Sequence, residues 1–169
     1  SPPLGPKPVR LPFEVFNRRR PLLVSEHGGL IRTCPSGITL ASETLTSVSR
    51  TPIDTLLVPG GQGVEQALQR PALIKWLQRH APRARRVVSI CTGSFLLAEA
   101  GLLDGRRAAT HWAYSQDFIA RYPRVKLNAD AIFVNDGNYY CSAGVTAGMD
   151  LALHLVEHDY GAPLALEIA

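Results

Sequence analysis

The chain has 169 residues, of which 46% are hydrophobic and 19% charged, and its net charge is +4. These values indicate one compact domain over residues 1–169 and exclude a disordered polyelectrolyte, while the charge excess is too small for a nucleic-acid interface. No apolar run approaches the roughly 18 residues of a membrane span, and the start lacks a signal peptide's apolar stretch. The three cysteines, Cys34, Cys91 and Cys141, match no zinc motif, so we expect a reduced, cytoplasmic protein that binds no metal and needs no cofactor.

Short apolar runs alternate with helical patterns through the first two thirds of the chain. In chain order, strands are predicted at residues 22–25, 55–59 and 87–90, and helices at 63–70, 71–80 and 94–100. Continuously apolar strands separated by helices are typical of a mostly parallel sheet covered on both faces, so the fold class is α/β, doubly wound. Such folds begin with a central strand, but the residues before Pro8 are rich in proline. The first strand is therefore expected to be missing or irregular.

Two hairpins and a long helix complete the predicted elements. Residues 31–34 are expected to pair with 38–41, and residues 131–134 with 139–142 across an Asp-Gly turn. A helix is predicted from Val145 to Glu157, ended by Gly161 and followed by a short helix that Pro163 opens. Its apolar residues share one helix face, which fits an exposed surface that needs a partner: Val145, Met149, Ala152, Leu153 and Val156.

The sharpest local feature is an apolar strand that runs directly into Cys91, followed by Thr-Gly-Ser and a helix. A residue at such a junction lies on a tight strand-to-helix turn, a nucleophile elbow, at the carboxyl end of the sheet where α/β folds bind ligands. The helix N-terminus supplies unpaired N–H groups and a partial positive charge, and both favour a thiolate. Cys91 is thus a candidate reactive thiol, with an inert buried thiol as the alternative.

Two further segments are candidates for the same site. The loop Val-Pro-Gly-Gly at 58–61 follows another strand, and its glycine N–H groups could receive an anion or an oxyanion, although taken alone the loop is better explained as an ordinary turn. His111, in Thr-His-Trp at 110–112, could act as a base toward the thiol or could simply pack. Cys34 and Cys141 lie in strand patterns and are interpreted as structural.

Together these motifs resemble the ThiJ/PfpI superfamily, whose fold is glutamine amidotransferase-like and flavodoxin-like. The resemblance rests on Ser-Ile-Cys-Thr-Gly-Ser at 89–94, Ala-Glu-Ala-Gly-Leu-Leu-Asp-Gly-Arg-Arg at 98–107 and Thr-His-Trp, and it extends through 58–61 and 142–150. Two subgroups share these motifs: isocyanide hydratase-like enzymes, and the N-terminal sensor domains of AraC-family transcription regulators. The segment 153–169 is more similar to the regulators, in which it leads into a helix-turn-helix domain.

The resemblance implies particular roles. Cys91 matches the family's nucleophile, and Gly61, with Gly60 beside it, and Thr92 match positions whose backbone N–H groups would hold an oxyanion. In the hydratases an acidic residue near the first strand hydrogen-bonds the cysteine. The corresponding position here is Pro8, which has neither an acid nor an N–H group, so the resemblance to the enzymes is incomplete.

Two functions follow as hypotheses. The first is a dimeric small-molecule-sensing domain of an AraC-family regulator, with its ligand pocket at Cys91 and with DNA bound only through a helix-turn-helix domain expected after residue 169. The second is a cysteine-dependent hydratase or hydrolase. No partner in a membrane is expected for either.

Overall fold

The computed structural model describes residues 21–32 and 37–169. Cys34 and the residues up to Pro8, where a first strand was expected to be missing or irregular, lie outside this part of the chain. The described residues form nine strands, six α-helices and two short 3₁₀ helices at Ala81–Arg83 and Trp112–Tyr114. In chain order the strands and helices are β1 Val24–Ser25, β2 His27–Arg32, β3 Thr39–Thr44, β4 Thr55–Val58, α1 Val64–Leu68, α2 Pro71–His80, β5 Arg86–Ile90, α3 Gly93–Glu99, β6 Arg107–Ala108, α4 Ser115–Arg121, β7 Lys126–Leu127, β8 Phe133–Asp136, β9 Tyr139–Ser142, α5 Val145–Tyr160 and α6 Ala162–Ile168.

The main sheet has the strand order β4-β5-β9-β8, in which β4, β5 and β9 are parallel and β8 is antiparallel. The predicted α/β class with a mostly parallel sheet is confirmed. Strand β5 lies inside the sheet, and Val87, Val88 and Ser89 are almost completely buried. That burial explains why its sequence is continuously apolar rather than alternating.

Layers of different size cover the two faces of this sheet. On one face, Val87 belongs to the main core with the large side chains of Phe95, Leu97 and Phe118. On the other face, Val88 packs with Leu151 in a smaller cluster beneath α5. Strand β5 therefore ends between two packed layers, and the residue that follows it is held from both sides.

Both predicted hairpins are present. Strands β2 and β3 pair antiparallel, and β1 joins them parallel to β3, which makes a separate three-stranded sheet. Strands β8 and β9 also pair antiparallel, but their turn is shorter than predicted, because pairing continues to Asp136 opposite Tyr139. Gly137 begins this two-residue turn with φ +64°, a conformation that glycine adopts without strain.

The long C-terminal helix ends as predicted, at Gly161 with φ +91°, but its buried face differs from its most apolar face. Ala147 and Leu151 are buried, whereas Val145 and Met149 are 76% and 58% exposed. Gly148 explains the difference, because a Cβ placed there would lie 3.1 Å from Ile90 Cγ2. The helix packs through Ala147, Gly148 and Leu151 and leaves Val145 and Met149 outside. No helix in the described ranges is long and apolar enough to cross a membrane.

An ion cluster fixes the end of α5 to the start of β5. Asp159, whose side chain is 9% exposed, accepts hydrogen bonds from Arg86 and Arg85. The distance from Arg85 Nη1 to Asp159 Oδ1 is 3.2 Å. Burial alone would raise the pKa of Asp159, but these hydrogen bonds outweigh it and lower the pKa to about 2. The carboxylate is therefore more favourable in the folded chain than in the unfolded one.

We expect this cluster to make stability depend on acid pH. A depressed pKa contributes stability that is present above about pH 4 and is lost as the pH falls toward 2, and for Asp159 this amounts to about 2 kcal/mol. Urea unfolding of Asp159→Asn at neutral pH should show a loss of about that size. The control is Asp130→Asn, since Asp130 is exposed, and it should unfold like the wild type. Equal stability of the two variants would contradict the prediction.

Candidate functional site

Cys91 occupies a strained backbone turn between β5 and α3. Its φ is +57°, and among the described residues it is the sole non-glycine residue with a positive φ. A side chain in this region costs about 1–3 kcal/mol, so the surrounding structure must enforce the conformation. The Cys91 N–H donates to the carbonyl of Ser142 at 2.9 Å, which ties the turn to the end of β9. The thiol is half-buried, at the carboxyl end of the parallel strands.

The glycine loop after β4 lies directly against this turn. A Cβ at Gly60 would lie 2.6 Å from the backbone nitrogen of Thr92, and a Cβ at Gly93 would lie 2.2 Å from the carbonyl oxygen of Val58. Both positions therefore accept only glycine without a backbone shift. The structure thus brings together Gly60, Gly61, Thr92 and Cys91, which the sequence analysis selected as parts of one site.

One candidate oxyanion donor, the Gly61 N–H, already donates a hydrogen bond within the chain. The Gly61 N–H donates to Thr92 Oγ1 at 3.0 Å, across 31 positions of sequence. An oxyanion that used this N–H would have to replace the Thr92 hydroxyl. The same bond fixes the glycine loop to the residue that follows the thiol. An oxyanion-binding role for Gly60, Gly61 and Thr92 stays a prediction.

His111 begins the short 3₁₀ helix beside the elbow. Its Nδ1 accepts a hydrogen bond from the Ala113 N–H at 3.2 Å, and its ring stacks on Trp112 with centroids 5.5 Å apart. In this arrangement a neutral His111 carries its hydrogen on Nε2, which can donate a hydrogen bond but has no free lone pair. The only basic nitrogen therefore faces the chain's own backbone. A base role for His111 stays a prediction that would require this ring to turn.

Two buried hydroxyls, which the sequence analysis did not select, contact the elbow. Ser94 Oγ lies 2.8 Å from Thr110 Oγ1, and both oxygens lie within 3.4 Å of the carbonyl oxygen of Cys91. Both residues belong to the quoted motifs, Ser94 to Cys-Thr-Gly-Ser and Thr110 to Thr-His-Trp. The available signal was their polarity inside segments that are otherwise buried.

The second described cysteine has a different environment. Cys141 is 1% exposed and lies on β9 opposite Ser89, as its structural interpretation requires. Burial raises the pKa of its thiol, which makes the thiolate unfavourable. Cys141 is therefore chemically protected, in contrast to Cys91.

Other parts of the described chain provide clefts but no cluster of metal ligands. One cleft of about 420 Å³ lies between α1, α3 and α4, and another of about 230 Å³ lies beside Trp76; neither includes Cys91. No group of three or more His, Cys, Asp or Glu side chains within residues 21–32 and 37–169 is arranged to hold a metal ion. The polar groups found at the elbow are the thiol, the hydroxyls and the backbone N–H and carbonyl groups.

Comparison with known proteins agrees with this geometry. Isonitrile hydratase of Pseudomonas putida is 40% identical over 113 residues, which are 67% of this chain and 48% of the hydratase. The HTH-type transcriptional regulator GbdR of Pseudomonas aeruginosa is 37% identical over 117 residues, 69% of this chain and 31% of the regulator. The matched region thus spans less than half the length of either relative.

Solved structures share the fold. A THiJ/PfpI family protein from Pseudomonas syringae superposes with a TM-score of 0.72 at 28% identity, covering 81% of this chain and 55% of that one. An AraC family transcriptional regulator from Pseudomonas putida gives 0.74 at 23% identity, covering 92% and 84%, a likeness of fold alone. Residues 9–158 match the DJ-1/PfpI family, and the predicted resemblance is confirmed. The chain belongs to the DJ-1/PfpI family.

Proposed function

We propose that this chain is the small-molecule-sensing domain of an AraC-type transcriptional regulator, with its ligand bound at the Cys91 elbow. The likeness of this chain to HTH-type regulators supports the proposal. GbdR and CdhR of Pseudomonas aeruginosa are 37% and 41% identical to the chain over the matched residues. The observation that carries the choice of site is the strained, half-buried Cys91 at the carboxyl end of the sheet. Such positions bind ligands in open α/β folds.

Within residues 21–32 and 37–169, the hydrogen bonds of the candidate base and of one candidate oxyanion donor favour sensing over turnover. A cysteine hydratase needs a thiolate, a group that exchanges protons and an oxyanion site. His111 directs its basic nitrogen to its own backbone, and the Gly61 N–H is engaged by Thr92. A ligand can still be held by this surface, since recognition requires shape and polar groups but no proton transfer.

The proposal places DNA binding in a separate helix-turn-helix domain encoded after residue 169, in a cytoplasmic protein. Sequencing the reading frame downstream of Ala169 tests this directly. We expect a basic segment with two consecutive helices of the helix-turn-helix pattern. A stop codon at this point, in the natural gene, would contradict the regulator assignment and favour the enzyme.

We also expect the chain to be a homodimer. The exposed apolar side chains Val145, Met149 and Leu166 are suited to a protein interface. Light scattering should give about twice the chain mass of 18.4 kDa. Met149→Glu should shift the equilibrium toward monomer. If the wild-type chain is a clean monomer at about 50 µM, the prediction is contradicted. Dimers with an interface of standard size have dissociation constants well below that concentration.

The alternative is a cysteine-dependent hydratase or hydrolase, and the 40% identity with isonitrile hydratase favours it. The position of the enzyme's acid falls on Pro8, outside the described residues. A missing general acid or base typically lowers the rate by about 10²–10⁴. The purified chain is therefore expected to turn over a simple alkyl isocyanide marginally at most.

Two assays on the purified chain separate the alternatives. Isocyanide hydration is measured for the wild type and for Cys91→Ala, and binding to an operator-length duplex is measured at several salt concentrations. We expect no enzyme-like turnover, for the reason given above. We also expect no sequence-specific DNA binding, because no helix-turn-helix pattern occurs within residues 1–169. Enzyme-like turnover that vanishes in Cys91→Ala would establish the hydratase instead.

A further inference from the structure

The carbonyl of Cys91 is held differently from its N–H. The N–H donates to Ser142 and so continues the contact between β5 and β9. The Phe95 N–H, four residues after Cys91, does not take up this carbonyl, because it donates to the carbonyl of Thr92 at 3.1 Å. A partly buried carbonyl at a strained turn is stabilised by a donor from elsewhere.

Two side-chain hydroxyls provide that donor. Thr110 Oγ1 lies 3.4 Å and Ser94 Oγ 3.3 Å from the Cys91 carbonyl oxygen, and the two hydroxyl oxygens lie 2.8 Å apart. Each hydroxyl has a single hydrogen. One hydroxyl therefore donates to the other at 2.8 Å, and the second donates its hydrogen to the Cys91 carbonyl. The order Ser94 to Thr110 to carbonyl and the reverse order both satisfy the carbonyl.

Water cannot substitute for this relay easily. Ser94 is 0% exposed and Thr110 1% exposed. A carbonyl that lost both hydroxyls would be left without these donors, which is costly for a partly buried group. The turn would then lose one of the contacts that oppose its unfavourable φ.

We propose that Ser94 and Thr110 are positioning residues, whose hydroxyl relay holds Cys91 in its left-handed turn and thereby sets the reactivity of the thiol. This inference rests on the proposed role of Cys91. The relay also joins the elbow to the segment that carries His111, since Thr110 immediately precedes it. The Thr-His-Trp motif thus acts on the thiol through its threonine.

The test measures alkylation of Cys91 by iodoacetamide in folded protein, over a range of about pH 6 to 10 that covers an ordinary thiol titration. The double variant Ser94→Ala/Thr110→Val removes both hydroxyls, because either one alone lies close enough to the Cys91 carbonyl to donate to it. We expect its limiting rate at alkaline pH to fall about fivefold, the equivalent of one buried hydrogen bond. Thr110→Ser alone keeps a hydroxyl at this position and should react at the wild-type rate. A crystal structure of the double variant should show a changed φ at Cys91.

The matched control is Ser115→Ala, which removes another buried hydroxyl, one without a hydrogen-bond partner in the described structure. It should leave the rate and its pH profile unchanged. Circular dichroism confirms folding, and Ser94→Ala/Thr110→Ala replaces the first double variant if that one does not fold. A wild-type rate in the hydroxyl-deleting variant, an equal loss in Ser115→Ala, or failure of Thr110→Ser to keep the wild-type rate would overturn the inference. An unreactive Cys91 in the wild type would instead refute its proposed role.

Discussion

Replacement of Gly93 by alanine is expected to destabilise the fold by more than about 3 kcal/mol, at the upper end of what overpacking costs. The added Cβ would lie 2.2 Å from the carbonyl oxygen of Val58 and 2.9 Å from the carbonyl carbon of Pro59. Both atoms belong to the backbone, so no side-chain rotation relieves the contact. Either β4 or the start of α3 must move, and that movement opens the contact between the glycine loop and the elbow.

Urea unfolding provides the measurement, and Gly63→Ala is the matched control. Gly63 lies in the same loop region with a helical φ of −79°, and a Cβ there would meet no atom within 4 Å. Its replacement should change the free energy of unfolding by less than about 0.5 kcal/mol, as is usual for unhindered surface positions. Stabilities of the two variants within about 1 kcal/mol of each other would show that the close approach at Gly93 is not structurally required.

The glycines of this loop show which features the sequence alone could predict and which it could not. Local signals predicted local structure well: proline at a helix start predicted α2 with the observed bounds, and a strand running into a cysteine predicted the elbow. The reason why Gly60 must be glycine is not local. It lies in Thr92, 32 positions later in the chain, and no pattern in either segment reveals that their backbones touch.

The side-chain roles at the site were predicted less completely for the same reason. His111 was selected because histidine is the usual base, but the orientation of its ring depends on the backbone of Ala113. Thr110 was quoted in a motif without a role, because the role of a hydroxyl depends on which carbonyl it contacts in the folded chain. In α5, the buried face follows Gly148 and its contact with Ile90 rather than the most apolar residues, a choice that hydrophobic spacing cannot indicate.

Cys91 is expected to react with iodoacetamide at least about tenfold faster than Cys141, because alkylation requires an accessible thiolate. Cys141 lacks both properties: it is 1% exposed, and burial raises the pKa of its thiol. Cys91 is half-buried, in the strained turn that follows β5. The same order is expected for oxidation by peroxide, since that reaction also begins from the thiolate.

Peptide mapping after a limiting dose of iodoacetamide identifies the labelled residue, and Cys91→Ser should leave the folded chain almost unlabelled under the same conditions. Cys34 lies outside the described residues, and the sequence interpretation of it as structural predicts that it also reacts after Cys91. Preferential labelling of Cys34 or Cys141 in folded protein would contradict the assignment of the elbow as the reactive site. Preferential labelling of Cys91 would support both functions proposed for it, because a sensor thiol and a nucleophile need the same accessible, strained position. The isocyanide assay then distinguishes the two functions.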